Sequence, residues 1–173
     1  MTNIRKDFHA IKAFVFDVDG VLSSTTAILH PSGEMMRTMN IRDGFAMQYA
    51  VRKGYKIAVI TGGDSESVRR RFNKLGIKDV YLNSSNKIEH FRHFLEKYDL
   101  RSADVLYMGD DLPDYEPMKE SGLAACPSDA AEEIKRLAGY ISYCRGGEGC
   151  ARDVIEQVLR LQGKWAHADA FHW

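Results

Sequence analysis

The chain has 173 residues, 45% of them apolar and 28% charged, which is enough for one domain with a sizeable core and is the balance of an ordinary soluble globule. Lys plus Arg equals Asp plus Glu at 24 each, so no global field draws the chain to nucleic acid or to a membrane surface, and any charge recognition is local. No apolar run approaches the roughly 18 residues of a membrane span, and residues 1–12 lack the apolar centre of a secretion signal, so a cytoplasmic protein is the expectation.

Residues 13–20, Ala-Phe-Val-Phe-Asp-Val-Asp-Gly, read as a buried strand that stops at two carboxylates and a glycine. Asp17 and Asp19 point to one face if the chain stays extended, and Gly20 permits a sharp turn. Two extended runs around His30-Pro31-Ser32-Gly33 predict a β-hairpin over about 22–40. A helix over 42–52 carries Ala46, Met47, Ala50 and Val51 on one stripe and ends at Gly54. The apolar strand 56–60 then runs into Thr61-Gly62-Gly63.

A helix over 65–75 places Val68, Phe72 and Leu75 inward, a short strand covers 80–82, and a helix over 87–98 turns Ile88, Phe91 and Leu95 inward. Strand 105–108 leads straight into Gly109-Asp110-Asp111. A short helix at 115–121, a strand at 123–125, a helix at 130–138 and a strand at 140–142 follow. A last helix over 151–161, with Val154, Ile155, Val158 and Leu161 inward, closes the chain. The alternation predicts an α/β fold, a Rossmann-like parallel sheet with helices on both faces and a protruding hairpin. The tail, about 162–173, carries Trp165, Phe171 and Trp173, which dock either on this subunit or on a neighbour.

Cys126, Cys144 and Cys150 match neither a disulfide framework nor a zinc site and are expected to be reduced and structural. His90 and His93 lack the further ligands that a metal needs and are expected on an exposed helix face.

In an open parallel sheet, ligands bind beyond the carboxyl ends of the strands. Asp17, Asp19, Thr61, Gly62, Asp110 and Asp111 all stand at such ends, and Lys87 opens a helix beside them. Like charges about 4 Å apart repel by about 4 kcal/mol at an effective dielectric of about 20, so a cation must sit among these carboxylates. Oxygen-only ligands suit Mg²⁺. Thr61, the amides after it and Lys87 supply donors for a phosphate, and the set as a whole describes phosphoryl transfer.

Asp17-Val18-Asp19-Gly20, Ile60-Thr61-Gly62, Lys87 and Gly109-Asp110-Asp111 with Asp114 resemble, in order, the four motifs of the haloacid dehalogenase superfamily of phosphatases. The resemblance implies Asp17 as nucleophile, Asp19 as general acid and then base, and Thr61 with Lys87 holding the phosphoryl oxygens. It also implies Mg²⁺ on Asp17, Asp19 and Asp110, with Asp111 and Asp114 behind them. Only about forty residues separate Gly20 from Thr61, and a hairpin and one helix fill them, so no cap domain is expected over residues 1–173.

Residues 40–44 (Asn-Ile-Arg-Asp-Gly), Thr61-Gly62 with Arg71, Ser85-Asn86-Lys87, the 145–149 stretch and residues 161–164 are similar to the capless subfamily that acts on 3-deoxy-D-manno-octulosonate 8-phosphate. That resemblance implies a small sugar-acid phosphate as partner, a homotetramer formed through the hairpin, and a step in lipopolysaccharide synthesis. It also implies a substrate pocket of Asp19, Asn40, Ile41, Arg42, Asp43, Gly44, Thr61, Gly62, Gly63, Arg71 and Lys87. Three alternatives stay open: a nine-carbon ulosonate 9-phosphate, against which Gly63 speaks because those siblings tend to carry glutamate there; a protein phosphatase, which would be monomeric; and a non-catalytic scaffold.

Overall fold

The computed structural model describes residues 8–171. Its strands are β1 (Ala13–Phe16), β2 (Ile28–Leu29), β3 (Met35–Met36), β4 (Lys56–Ile60), β5 (Asp79–Tyr81), β6 (Val105–Met108), β7 (Leu123–Cys126) and β8 (Tyr140–Ile141). Its longer helices are α1 (Ile41–Arg52), α2 (Glu66–Lys74), α3 (Lys87–Tyr98), α4 (Tyr115–Glu120), α5 (Glu132–Leu137) and α6 (Cys150–Leu161). Six strands form one sheet in the order β5-β4-β1-β6-β7-β8, with every pairing parallel.

Alternation along the central strands divides the core between two helical layers. Phe14, Phe16, Ile57, Val59, Leu106 and Met108 pack on α1, α2 and α6 through Met47, Phe72 and Val154. Ala13, Val15, Ala58, Ile60, Val105 and Tyr107 face α3, α4 and α5 through Phe91, Met118 and Ile134. Burial on both faces explains why these strands read as unbroken apolar runs. β1 lies in the middle, flanked in register by β4 and β6, so its carboxyl end stands beside both of theirs.

The hairpin is short and its apolar residues are bare: Ile28 is 61% exposed, Leu29 76%, Met35 44% and Met36 48%. Among the described residues no cap domain covers the sheet end. Some expectations need correction. Leu161, expected inward on α6, is 39% exposed, and Leu159 is buried in its place because the apolar stripe turns as the helix leaves the core. Phe94, not foreseen, fills the inner face of α3 with Phe91. In the tail, Trp165 packs edge-on to Tyr49 of α1, and Asp169 binds Lys53 at 2.7 Å, so this stretch docks on its own subunit. Phe171 stays exposed, and Trp173 lies outside the described residues. The three cysteines are unbridged. His90 and His93 take separate partners, Ser84 and Tyr81.

Candidate active site

The chain turns sharply after β1. Asp17 N donates to the Met108 carbonyl at 3.1 Å, which ties the first residue past the strand to the end of β6. Gly20 has φ +90°, and a Cβ there would overlap the Asp110 carboxylate, so only glycine lets the two loops close on each other. A second support comes from the 145–149 loop: Gly147 N donates to the Val21 carbonyl at 2.8 Å and Gly146 N to Asp129 Oδ1 at 2.9 Å. A Cβ on Gly146 would overlap the Gly20 carbonyl. Gly146→Ala should therefore push the Asp19–Gly20 loop out of place, costing about 1 to 3 kcal/mol of stability and lowering turnover. Urea unfolding and phosphate release, measured together, check this.

Lys87, at the start of α3, is the electrostatic centre. Its Nζ lies 2.9 Å from Asp17 Oδ1 and 2.8 Å from Asp114 Oδ1, and all three side chains are buried. Tyr107, in the middle of β6, donates its hydroxyl to Asp114 Oδ1 at 2.9 Å, and Asp110 N donates to Asp114 Oδ2 at 3.3 Å. Burial, then the charge of Asp114, pushes the Asp17 carboxyl well above the usual range, against the pull of Lys87. Burial, then Asp114, pushes Asp110 up to about 7. Burial works to lower Lys87, but Asp17 and Asp114 outweigh it and hold the ammonium above its ordinary value.

Carboxylate oxygens of Asp17, Asp110 and Asp114 lie within 4.8 Å of one another. Both oxygens of Asp114 are already engaged, whereas Asp110 Oδ1 is buried without a partner. Asp17 and Asp110 are thus the two carboxylates positioned to hold a hard divalent cation, with Asp114 supporting them from behind. The donor set fits such an ion.

The cleft holding these groups is about 530 Å³ and is lined also by Asp19, Thr61, Gly62, Gly63, Ser84 and Asp111. Thr61 is buried, with Oγ1 accepting from Gly63 N at 3.1 Å. Asp111 accepts from Leu112 N, capping the turn that follows. The fold thus brings Asp17, Asp19, Thr61, Gly62, Gly63, Lys87, Asp110, Asp111 and Asp114 together.

Six residues expected in the substrate pocket, Asn40, Ile41, Arg42, Asp43, Gly44 and Arg71, stand outside this cleft. Asn40 caps α1, accepting from Arg42 N and Asp43 N. Asp43 is buried and accepts from Arg152 N at 2.7 Å, holding the start of α6, and burial pushes its carboxyl up to about 6. Asn40, Ile41 and Arg42 border a separate groove of about 820 Å³ along α6. Gly44 lies against the Arg71 guanidinium, beside a small cavity under Leu22. The start of α1 faces away from the carboxylate cleft because it is tied to the segment that opens α6, Asn40 Nδ2 donating to the Gly147 carbonyl at 3.2 Å and Asp43 accepting from Arg152 N.

Two residues absent from the sequence reading enter the site, Tyr107 and Arg37. A tyrosine in a wholly buried strand needs a partner for its hydroxyl, which is a usable signal for the first. Arg37 donates from Nε to Asp19 Oδ1 at 2.5 Å and from Nη2 to Oδ2 at 2.9 Å. Nothing in the local sequence sets it apart from the other arginines.

Residues 41–122 match the haloacid dehalogenase-like hydrolases. The chain is 34% identical to the 3-deoxy-D-manno-octulosonate 8-phosphate phosphatase KdsC of Salmonella typhi, over 94% of this chain and 87% of that protein. It is 36% identical to KdsC of Escherichia coli K12, over 89% and 82%. The crystal structure of 3-deoxy-D-manno-octulosonate 8-phosphate phosphatase from Moraxella catarrhalis, in complex with magnesium ion, phosphate ion and KDO, superposes with a TM-score of 0.91 at 31% identity, covering 99% of this chain and 97% of that one. The chain belongs to the haloacid dehalogenase-like hydrolases, as a phosphatase in the family of the 3-deoxy-D-manno-octulosonate 8-phosphate phosphatases.

Proposed function

We propose that the chain hydrolyses 3-deoxy-D-manno-octulosonate 8-phosphate to the free sugar acid and inorganic phosphate, as a cytoplasmic step in lipopolysaccharide precursor synthesis. The observation that carries the chemistry is Lys87 bridging Asp17 and Asp114 beside the unpartnered Asp110 oxygen, at the joined ends of β1 and β6.

Asp17 has one oxygen on Lys87, and the other attacks phosphorus. The phosphorus–ester oxygen bond breaks, an aspartyl phosphate forms, and the leaving sugar oxygen takes a proton from Asp19. Asp19 then accepts a proton from water as that water attacks phosphorus, releasing phosphate and restoring the Asp17 carboxylate. Lys87 and the Thr61 hydroxyl steady the phosphoryl oxygens, and Asp114 with Tyr107 keeps Lys87 in position. Mg²⁺, held by Asp17, the Asp19 carbonyl and Asp110, would neutralise phosphoryl charge when bound. A phosphate-release screen over sugar phosphates with Mg²⁺ tests this reading. A large preference for a nine-carbon ulosonate 9-phosphate would overturn the eight-carbon assignment, which Gly63 supports.

A homotetramer built through the hairpin completes this reading. Bare Ile28, Leu29, Met35 and Met36 on a ribbon that is marginal alone support it. In such an assembly Ile41, Arg42 and Arg71 serve the cleft of a neighbouring subunit, while Asn40, Asp43 and Gly44 shape the start of α1 behind them. Leu29→Asp is expected to convert the tetramer to smaller species in light scattering and to raise KM; an unchanged mass would remove the hairpin from the interface.

A further inference from the structure

The cleft is short of available positive charge. Among the described residues that line it, five aspartates face one lysine, and Lys87 already serves two of them. A phosphate monoester brings further negative charge. Arg37, from the hairpin, is the cation that reaches this end of the cleft.

Its setting is built. The Arg37 side chain is only 7% exposed, whereas that of its partner Asp19 is 42% exposed. Nη1 donates to the Met35 carbonyl at 2.9 Å, which fixes the guanidinium plane, while Nε and Nη2 grip the two Asp19 oxygens. Gly63 supplies the remaining space. A Cβ at that position would stand 2.9 Å from Arg37 Nη2 and 3.5 Å from Thr61 Oγ1, so one small volume is flanked by the guanidinium and the phosphate-loop hydroxyl. A fork that holds two carboxylate oxygens holds two phosphate oxygens in the same way.

We propose that Arg37 is a substrate-binding residue that exchanges Asp19 for the phosphoryl oxygens of the incoming monoester, and that Gly63 makes room for that exchange. The proposal deepens the phosphatase reading and rests on it. The Asp19 side chain is 42% exposed, so water solvates its carboxylate once a phosphate dianion takes its place on the guanidinium. The exchange also leaves Asp19 facing the leaving oxygen. The competing account, a structural tie between hairpin and β1 loop, gives Arg37 no effect on phosphate affinity.

Calorimetric titration of inorganic phosphate, with saturating Mg²⁺, into wild type, Arg37→Ala, Arg37→Lys and Gly63→Glu separates the two. Arg37→Ala should weaken phosphate binding about ten- to a hundredfold, and Arg37→Lys, which keeps the charge without the fork, should fall between. Gly63→Glu should weaken it as well, since the new carboxylate captures the guanidinium while Arg37 itself is intact. If Arg37→Ala melts as unfolded, Arg37→Lys, which keeps a cation beside Asp19 without the fork, decides. Phosphate affinity unchanged from wild type in the folded variants overturns the proposal. Turnover of the sugar-acid phosphate by wild type is measured alongside. Its absence would overturn the substrate assignment, while the phosphate titrations still decide the role of Arg37.

Discussion

Asp17→Asn is expected to lower phosphate release by about 10⁴-fold or more while the chain stays folded and its assembly intact. An amide oxygen is a poor nucleophile toward phosphorus, and no other carboxylate replaces Asp17 on Lys87 at that end of β1 among the described residues. Asp114 is tied to Lys87 and Tyr107, and Asp110 sits at the end of the next strand. Stability should not suffer. The backbone amide of Asp17 makes the tie to Met108, and the side chain is a carboxyl that burial and Asp114 hold well above the usual range. A neutral amide relieves that cost. Phosphate release and thermal melting, read together, check the assignment. Retained turnover would remove Asp17 as nucleophile, and a collapse in melting temperature would make the carboxylate structural.

Asp110→Asn is expected to move activity and stability in opposite directions. In the metal-free protein the Asp110 carboxyl rises from 3.8 to about 7, so the native state holds its proton more tightly than the unfolded chain does. Stability therefore falls as pH rises from about 4 to about 7 and stays low above that, by at most on the order of 4 kcal/mol from this group. A divalent cation on the carboxylates cancels the loss, so Mg²⁺ should raise the melting temperature strongly at pH 8 and weakly at pH 5. The asparagine variant should melt higher than wild type without metal at pH 8, lose most of the Mg²⁺ response, and release phosphate at least about a hundredfold more slowly. Melting curves with and without Mg²⁺ across this pH range test the assignment. An undiminished Mg²⁺ shift in the variant would place the cation elsewhere.

The strand ends were legible because central parallel strands are apolar throughout and stop abruptly where the chain meets solvent. β1, β4 and β6 were each readable together with the polar turn that follows, and α3 was readable to its first and last residue. Asp17 and Asp110 lie one and two residues past the ends of β1 and β6, and Asp19 and Asp111 three past them, so little conformational freedom separates their sequence position from their place in the cleft. Residues carried on a helix or a hairpin were less legible. Asn40 and Asp43 carry the right chemistry for a sugar acid, but the tie of α1 to the segment that opens α6 makes one a helix cap and the other the partner of Arg152 N. That tie depends on backbone groups more than a hundred residues away.

Residue order was enough to place Asp17, Asp19, Lys87 and Asp110 together at one end of the sheet, because period and polarity along a strand are local properties. Only the folded chain decides how their charges are shared. Lys87 is divided between Asp17 and Asp114, Asp110 keeps an oxygen free, and Tyr107 locks the arrangement from within β6. Arg37 arrives from the hairpin onto Asp19 across eighteen positions of sequence. These are long-range meetings of groups in a buried, low-dielectric setting, where electrostatic energy depends on distances that no local pattern encodes.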